Sequence, residues 1–353
     1  MIVKKLSDMK RGLYGLRGTA GAKAATDGKS GAKAAAGKDA VKKAAFVAVG
    51  NFDGMHRGHG ALICAMLEAA RAAGVPGVVF TFENYTKADT PRLISPEERN
   101  RMLADLGVDI LILGDFELLR DLSPETFIDE VLIKKCRCGR VFCGYNFRFG
   151  RRAAADAETL RTLMQRRGGD AVILPPVTAG GAPVSSTGIR RFITAGDLAK
   201  ANDLLREPFS VTGTVEKGKR LGRRLGMPTV NQYFPEDQVV PRFGVYASVV
   251  RLSGKTYPAV TNVGVRPTVD DGHRITSESY LFGFSGCAYG KKAKTSLLCF
   301  LRPERKFPSP EALRQQVEKD KKTALDYLTE KGITEEICRE DRGGAPEGGK
   351  TQP

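Results

Sequence analysis

The feature that most constrains the fold of this chain is a regular alternation of short apolar runs and helical patterns from residue 46 to residue 205. Helix start signals stand between the runs at Ser95-Pro96-Glu97-Glu98 and at Ser123-Pro124. The apolar runs are typical of strands buried on both faces, and they are FVAVG (46–50), GVVFTF (77–82), VDILIL (108–113), RVFCG (140–144) and AVIL (171–174). This alternation predicts an open, doubly wound parallel α/β sheet.

After about Arg206 the pattern changes to strands with glycine and proline between them and no long helix. The strand candidates are FSVTGTV (209–215), GVYASVVRL (244–252), YPAVTNV (257–263), ESYLFGF (278–284) and KTSLLCFL (294–301). Closely spaced strands of this kind predict an antiparallel barrel or sandwich. One helix follows them, with a start signal at Ser309-Pro310 and an apolar pattern that continues to about Leu328.

Composition limits the class of protein and of partner. The chain has 353 residues, 41% of them hydrophobic and 27% charged, which suits a folded protein of two ordinary domains. Its net charge of +16 favours anionic partners, namely nucleotides, nucleic acid or acidic surfaces. No apolar run reaches the roughly 18 residues that a membrane-spanning helix needs, and the basic N-terminus lacks the apolar segment of a secretion signal. We expect a cytoplasmic protein without a membrane partner.

The cysteines support the same compartment. The chain has seven cysteines, an odd number, and none of them form a CxxC pair with zinc-finger spacing. Cys136, Cys138 and Cys143 lie close together along a predicted strand and its approach. We expect reduced thiols, as is usual in the cytosol.

Two segments have the composition of unstructured chain. Residues 19–43 contain nine Ala, six Lys and four Gly with no aromatic residue, so they cannot bury enough apolar surface to offset the entropy of ordering. We expect a flexible insertion there, and its lysines leave a tether for nucleic acid or membrane open as the alternative. The tail at 336–353 is predicted to be disordered for the same reason.

A dense motif follows the first predicted strand. It reads Gly50-Asn51-Phe52-Asp53-Gly54-Met55-His56-Arg57-Gly58-His59, and a helix is predicted from Ala61. A turn from strand to helix presents backbone N–H groups and the positive end of the helix dipole, and glycines let a phosphate approach the backbone closely. Two of the chain's three histidines, His56 and His59, stand here and can donate hydrogen bonds to phosphate oxygens. The motif therefore predicts a nucleotide-binding turn.

This motif resembles the HxGH motif of the nucleotidyltransferase superfamily, in the GxFDGxHxGH form of the bacterial bifunctional riboflavin kinase/FAD synthetases. Three later segments resemble that family in the same order: TFE at 81–83 its TFEPxP, GYNFRFG at 144–150 its GxNFxFG, and SSTGIR at 185–190 its SSTxIR. The chain departs from the family where Asn84, Tyr85 and Thr86 replace the usual prolines, near the flavin in the family.

The resemblance implies an FMN adenylyltransferase with ATP as the second substrate and Mg²⁺ bridging the phosphates. By this resemblance His56 and His59 stabilise the transferring phosphate, Asn146 lines the active site, and Arg190 with Ser186 and Thr187 holds the triphosphate. The nucleotide-binding turn comprises Gly50, Phe52, Asp53, Gly54 and Gly58. The chemistry suits these residue types, because the phosphate of FMN is already anionic near neutral pH and can attack without a general base.

A second motif stands at residues 213–231, where a loop rich in glycine and arginine leads into Pro-Thr-Val-Asn. Backbone amides and guanidinium groups in such a loop can bind phosphates. Thr229 and Asn231 stand at alternate positions, so both side chains can face one metal ion with neutral oxygen ligands.

This string resembles the riboflavin kinase pattern GxVxxGxxxGRxLGxPTxN. The resemblance implies nucleotide-binding roles for Gly218, Gly222, Arg223 and Gly226. It also aligns Glu278 with the catalytic glutamate of the kinases, although Tyr280 and Gly283 replace the family's histidine and aspartate. A carboxylate there has a physical purpose, because a ribityl hydroxyl gains from a base as it attacks the γ-phosphate of ATP.

The sequence thus predicts a two-domain enzyme of flavin biosynthesis, with an FMN adenylyltransferase domain at 1–204 and a riboflavin kinase domain at 205–335. The expected partners are ATP, riboflavin and FMN, without nucleic acid, since the basic residues are spread along the chain and paired surface aromatics are missing. Two alternatives stay open at this point. One is a riboflavin kinase with a weakened or inactive adenylyltransferase half, and the other is a basic nucleic-acid-binding protein that responds to nucleotide or flavin.

Overall fold

The structure is a computed structural model that describes residues 1–9, 44–83, 90–216, 229–267, 273–335 and 337. The predicted insertion at 19–43 and all of the predicted tail except Ile337 lie outside these residues. The chain forms two compact units, one of Met1–Asp89 with Pro96–Val184 and the other of Thr90–Ser95 with Ser185–Pro353. The domain boundary at 204/205 stays a prediction.

The first unit is built on a six-stranded sheet in which every neighbouring pair is parallel, in the order β1-β4-β3-β2-β5-β8. Its strands are β1 (Ile2–Lys5), β2 (Ala45–Val49), β3 (Gly77–Phe82), β4 (Ile110–Gly114), β5 (Cys138–Gly144) and β8 (Asp170–Leu174). The five strands predicted from the apolar runs are confirmed. The edge strand β1 was not predicted, because its side chains are largely exposed and it contains two lysines.

Helices and short strands complete the first unit. The helices are α1 (Arg57–Ala73), α2 (Pro96–Asp105), α3 (Phe116–Leu119), α4 (Pro124–Thr126), a π-helical stretch (Phe127–Lys135) and α5 (Ala157–Arg166). Two short ladders pair β6 (Arg148–Phe149) with β7 (Ala155–Asp156), and β9 (Thr178–Ala179) with β10 (Ala182–Pro183). The predicted starts at Pro96 and Ser123-Pro124 are confirmed, and Ser123 Oγ caps its helix by accepting from the Thr126 N–H.

The predicted start of the first helix was wrong by one turn. Helix α1 begins at Arg57 rather than at Ala61, and its N-cap is His56. A histidine ring nitrogen supplies the acceptor that Ser, Thr, Asp or Asn usually provides, which sequence rules for caps do not anticipate. The correction matters because it puts His59 in the first turn of the helix, against its cap.

The order of the strands fixes where a ligand can bind. From β2 the chain proceeds to β3 and β4 on one side of the sheet and then crosses to β5 and β8 on the other. Open α/β sheets bind ligands at the carboxyl ends of the strands where the order reverses in this way. The carboxyl end of β2 leads into residues 50–54 and that of β5 into residues 145–147, so both loops flank this crevice.

The second unit contains a six-stranded antiparallel sheet in the order β11-β16-β13-β14-β15-β12. Its strands are β11 (Ser210–Thr214), β12 (Thr229–Tyr233), β13 (Gly244–Leu252), β14 (Lys255–Pro267), β15 (His273–Leu281) and β16 (Lys292–Arg302). The edges β11 and β12 approach each other, and the Glu216 N–H donates to the Asn231 carbonyl at 2.8 Å. The sheet is therefore a nearly closed barrel, as the sequence predicted.

The described part of the second unit also contains the helices α6 (Ser186–Ala195), α7 (Leu198–Leu204) and α8 (Pro310–Glu330). The last begins where predicted, with Ser309 Oγ accepting from the Ala312 N–H at 3.2 Å. Helix α8 is held to the barrel by a partly buried ion pair, in which Arg302 of β16 contacts both carboxylate oxygens of Asp320 at 2.7–3.0 Å. The inward side of the barrel contains hydrogen-bonded hydroxyls as well as apolar groups, since Thr261 Oγ1 contacts both Ser248 and Ser279.

No helix in the described residues is long and apolar enough to cross a membrane. The six cysteines among them are all free thiols. Burial raises the pKa of Cys136 and of Cys143 to about 12, so both thiols stay protonated and act as apolar core groups.

Candidate active sites

The turn that follows β2 has an unusual backbone. Phe52, Gly54 and Met55 all have left-handed conformations, with φ of 51°, 84° and 43°. Such angles cost energy at residues other than glycine, so surrounding contacts must hold them. Here the side chains of Phe52 and Met55 are completely buried, and their packing in the core supplies these contacts. Core packing therefore fixes the shape of the turn.

His56 joins this turn to helix α1. Its Nδ1 accepts a hydrogen bond from the backbone N–H of His59 at 3.3 Å and so caps the helix. A neutral imidazole that accepts at Nδ1 carries its proton on Nε2, which is then a donor. Gly58 gives the His56 ring room, because a Cβ at this position would lie a tight 3.2 Å from two atoms of the ring. His56 thus offers an N–H donor at the positive end of the helix.

The rings of His56 and His59 are stacked. Their centroids are 3.6 Å apart with an angle of 17° between the planes, and the edge of Phe52 packs against His59. Burial lowers the pKa of His56 to about 4. Burial, with a smaller contribution from repulsion between the two imidazoles when both are protonated, lowers the pKa of His59 well below its usual value. Both imidazoles are therefore neutral at pH 7, and His59 Nδ1 has no hydrogen-bond partner within the described part of the chain.

The depressed pKa of His56 predicts a pH-dependent stability. In the unfolded chain its pKa is about 6.5, so between roughly pH 6.5 and pH 4 the unfolded state binds more protons than the folded state. Stability should be complete above pH 6.5 and should fall by about 2–3 kcal/mol as the pH decreases to 4.5. The measurement is the melting temperature of the first unit between pH 7.5 and 4.5. The His56→Gln variant, which lacks this proton site, should show a shallower fall, and parallel curves would contradict the account.

Other positions predicted for this site lie in the turn itself and in the loop after β5. Asp53 is 5% exposed in the turn, and the ring of Phe52 is buried, so Phe52 can offer a ligand only its backbone. Asn146 is exposed in the loop after β5, on the second side of the crevice. The structure thus brings this loop and the histidine-bearing turn to the same edge of the sheet.

The SSTGIR segment belongs to the second unit. Ser185 caps helix α6 by accepting from the Gly188 N–H at 3.2 Å, so Ser186 and Thr187 lie in its first turn. Arg190 follows in the next turn and donates from Nε to the carbonyl of Pro91 at 2.6 Å. The predicted turn at the start of a helix is present. Its binding of phosphate and the roles of Ser186, Thr187 and Arg190 stay predictions.

In the barrel, three predicted residues converge. Asn231 of β12 and Glu278 of β15 are directly opposite each other in the ladder. Thr229, two residues before Asn231 on the same strand face, donates from its hydroxyl to Glu278 Oε1 at 2.8 Å, and Asn231 Nδ2 lies 3.5 Å from that hydroxyl. A hydroxyl, an amide and a carboxylate thus form one cluster from segments almost 50 residues apart.

Two residues that sequence reasoning gave no role extend this cluster. Asn262 of β14 lies opposite Glu278 on the other side of β15. Its Nδ2 donates to Glu304 Oε1 at 2.8 Å, while its Oδ1 is buried without a partner in the part of the chain that the structure describes. Both residues lie outside the motif at 213–231, and their pairing across 42 residues appears only in the fold.

The remaining predicted nucleotide-binding residues of the barrel lie in the loop before β12. Gly218, Gly222, Arg223 and Gly226 are outside the described residues. Their roles stay predictions.

The barrel cluster offers oxygen donors that a divalent cation bound together with a nucleotide could use. No group of three or more His, Cys, Asp or Glu in the described residues is arranged to hold a metal. Thr229 and Asn231 offer neutral oxygens, and a half-turn of the Asn231 amide places Oδ1 where Nδ2 now faces Thr229. Mg²⁺ is usually bound by few protein oxygens together with phosphates and water, and this donor set fits that pattern.

Both halves of the chain match known families. A family model described as FAD synthetase matches residues 38–188, and one described as riboflavin kinase matches residues 205–328. A bifunctional riboflavin kinase/FMN adenylyltransferase from Listeria monocytogenes is 33% identical over 290 residues, which cover 80% of this chain and 92% of that protein. A protein of the same description from Escherichia coli K12 is 34% identical over 297 residues, covering 82% and 94%.

One solved structure adds a comparison of folds. A crystal structure described as a macrolide-efflux protein from Streptococcus pneumoniae has a TM-score of 0.73 to this chain and is 31% identical. The match covers 80% of this chain and 94% of that one. The two chains therefore share a fold along most of their length.

Proposed function

The chain belongs to the family of bifunctional riboflavin kinase/FMN adenylyltransferases, and from this premise we propose which of its residues carry each reaction. Its two activities are the ATP-dependent phosphorylation of riboflavin to FMN and the adenylylation of FMN to FAD. The matches to both domain families weigh against a nucleic-acid-binding protein.

In the kinase reaction a ribityl hydroxyl of riboflavin attacks the γ-phosphorus of ATP. The new O–P bond forms as the bond from the γ-phosphorus to the oxygen of ADP breaks. Glu278 accepts the proton of the hydroxyl, and Thr229, which donates to Glu278 Oε1, holds the carboxylate in place. The observation that most directly supports this assignment is the cluster of Thr229, Asn231 and Glu278.

A divalent ion, Mg²⁺ by its ligand preferences, would be held at Thr229 and Asn231 together with the phosphates of ATP. When bound, the ion would neutralise the negative charge that develops on the phosphates. Because the two side chains contribute only neutral oxygens, the positive charge of the ion would be balanced by the phosphates of ATP. The ion and ATP should therefore bind together.

In the adenylyl transfer a phosphate oxygen of FMN attacks the α-phosphorus of ATP, and pyrophosphate leaves. The FMN phosphate needs no base, so the protein has to position the two phosphates and stabilise the developing charge. His56 and His59 act as neutral donors at the positive end of α1, and Asn146 lines the same edge of the sheet. For Ser186, Thr187 and Arg190, contact with the triphosphate is supported by the motif. Ser186 and Thr187 also lie in the first turn of a helix, where backbone N–H groups favour an anion.

The test of this proposal is a product assay. Purified protein is incubated with riboflavin, ATP and Mg²⁺, and flavins are separated by chromatography over time. We expect FMN first and FAD after it, and neither product when the metal is removed by chelation. Absence of both products with metal present would contradict the proposal. Formation of FMN without FAD would support the kinase reaction and contradict the adenylyl transfer.

A further inference from the structure

A buried arginine lies beside the histidine-bearing turn without a full set of partners. Arg99 is on the inner face of helix α2, where it is 8% exposed and shares that face with Met102 and Leu103. A guanidinium has five N–H donors and a fixed positive charge, and burying it is costly unless the donors and the charge are matched. The hydrogen-bond partners and charges around Arg99 therefore indicate what kind of group this side chain binds.

The described residues satisfy little of this requirement. Arg99 Nη1 approaches Thr81 Oγ1 only at 3.5 Å, and Thr81 Oγ1 itself donates to the carbonyl of Asn51 at 3.2 Å. Arg99 Nε and Nη2 are buried without any hydrogen-bond partner in the described ranges. The guanidinium is thus held near the nucleotide-binding turn with two of its nitrogens unused.

The charge of the Arg99 guanidinium is only partly matched by its described neighbours. Burial lowers the pKa of Arg99 to about 10, and the nearby charges of Asp53 and Glu97 only partly oppose this effect. The group still carries its charge at pH 7, in a place where that charge is poorly solvated. A phosphate would match both the charge and the planar fork of donors.

The position of Arg99 distinguishes between the phosphates of the two substrates. Thr81 stands near the carboxyl end of β3, and β3 flanks β2 on the side opposite to β5. The crevice where the strand order reverses lies between β2 and β5, which is where a nucleotide is expected in such sheets. The β3 side of the turn is therefore left for the other substrate of the same reaction.

We propose that Arg99 binds the phosphate of FMN in the adenylyl-transfer site and orients it toward the α-phosphorus of ATP. The inference rests on the proposed function, because it concerns the substrate of that reaction. It adds a substrate-binding residue that neither the sequence motifs nor their roles had indicated.

The test compares three variants in the conversion of supplied FMN to FAD. Arg99→Met removes the charge and the donors at similar size, and Arg99→Lys keeps the charge but loses the fork. Arg101→Met is the matched control, because Arg101 is on the same helix, largely exposed, and paired with Glu98 and Asp105 at the surface. Kinase turnover of riboflavin, measured on the same samples, reports on the other site.

We expect Arg99→Met to raise the KM for FMN by about 30-fold or more, as for a lost charge-assisted hydrogen bond. The KM for ATP and the kinase rate should stay within twofold of wild type. Arg99→Lys should show a smaller rise in the KM for FMN, and Arg101→Met should show none. A rise in the KM for ATP instead would overturn the inference, as would a lower melting temperature with an unchanged KM for FMN.

If Arg99→Met fails to fold, Arg99→Lys decides the question, and an unchanged KM for FMN in that folded variant overturns the inference. The failure of the proposed function has a different signature. In that case the wild-type protein itself forms no FAD from FMN and ATP.

Discussion

Replacing Glu278 with alanine should reduce the phosphorylation of riboflavin by a factor of about 10² to 10⁴, the usual contribution of a positioned general base. The Thr229 hydroxyl donates a hydrogen bond to the Glu278 carboxylate, and Glu278 also lies opposite Asn231 in the strand ladder. Its removal leaves the attacking hydroxyl without a proton acceptor. Conversion of supplied FMN to FAD should stay within twofold of wild type, because Glu278 belongs to the barrel.

The controls for this variant separate chemistry from folding. Glu278→Gln keeps the size of the side chain and the acceptor for Thr229 but cannot take a proton, so it should be nearly as impaired as Glu278→Ala. Glu311→Ala on α8 removes an exposed carboxylate from the same unit and should leave both activities unchanged. Substantial kinase activity in Glu278→Gln would show that this carboxylate is not the base.

Replacing His59 with alanine should have the reverse effect. FAD formation should fall by about 10² to 10³ in kcat, as when a donor to a developing negative charge is removed. The variant also removes the ring stacked on His56, whose centroid lies 3.6 Å away, and so loosens the position of the second donor. The backbone N–H that His56 Nδ1 accepts from is kept in the variant. FMN formation should be nearly unaffected. The measurement is the rate of FAD production from supplied FMN beside the rate of FMN production from riboflavin.

A matched control for His59→Ala lies on the same helix. Glu68 is exposed on α1, so Glu68→Ala tests whether any change in this helix disturbs the site, and both activities should persist. Loss of both activities in His59→Ala would mean that the two reactions are not separate. Unchanged FAD formation would remove the histidine pair from the mechanism.

The fold was predictable from local patterns where these were strong. The apolar runs at 77–82 and 140–144 became buried parallel strands, because residues buried on both faces leave an unmistakable composition. The start of α1 was not predictable, because its cap is a histidine whose ring accepts from a residue three positions later. Strand β1 escaped notice because half-exposed lysines conceal the pattern of an edge strand.

The sequence predicted which residues belong to the sites but not which of these residues contact each other. The motifs named Thr229, Asn231 and Glu278, yet their convergence depends on the pairing of β12 with β15, which is a long-range property of the sheet. The roles of Asn262 and Arg99 depend on the same kind of information, since a buried donor or acceptor without a partner appears only when its surroundings are known.

The most direct test of the central claim, that this chain uses two different phosphates of ATP at two separate sites, follows labelled phosphorus. In parallel reactions with riboflavin, ATP carries the label in either the γ- or the α-phosphate. Label from the γ-position should appear in FMN and remain in FAD, while label from the α-position should appear in FAD and never in FMN. FAD without α-label, or FMN without γ-label, would contradict the account.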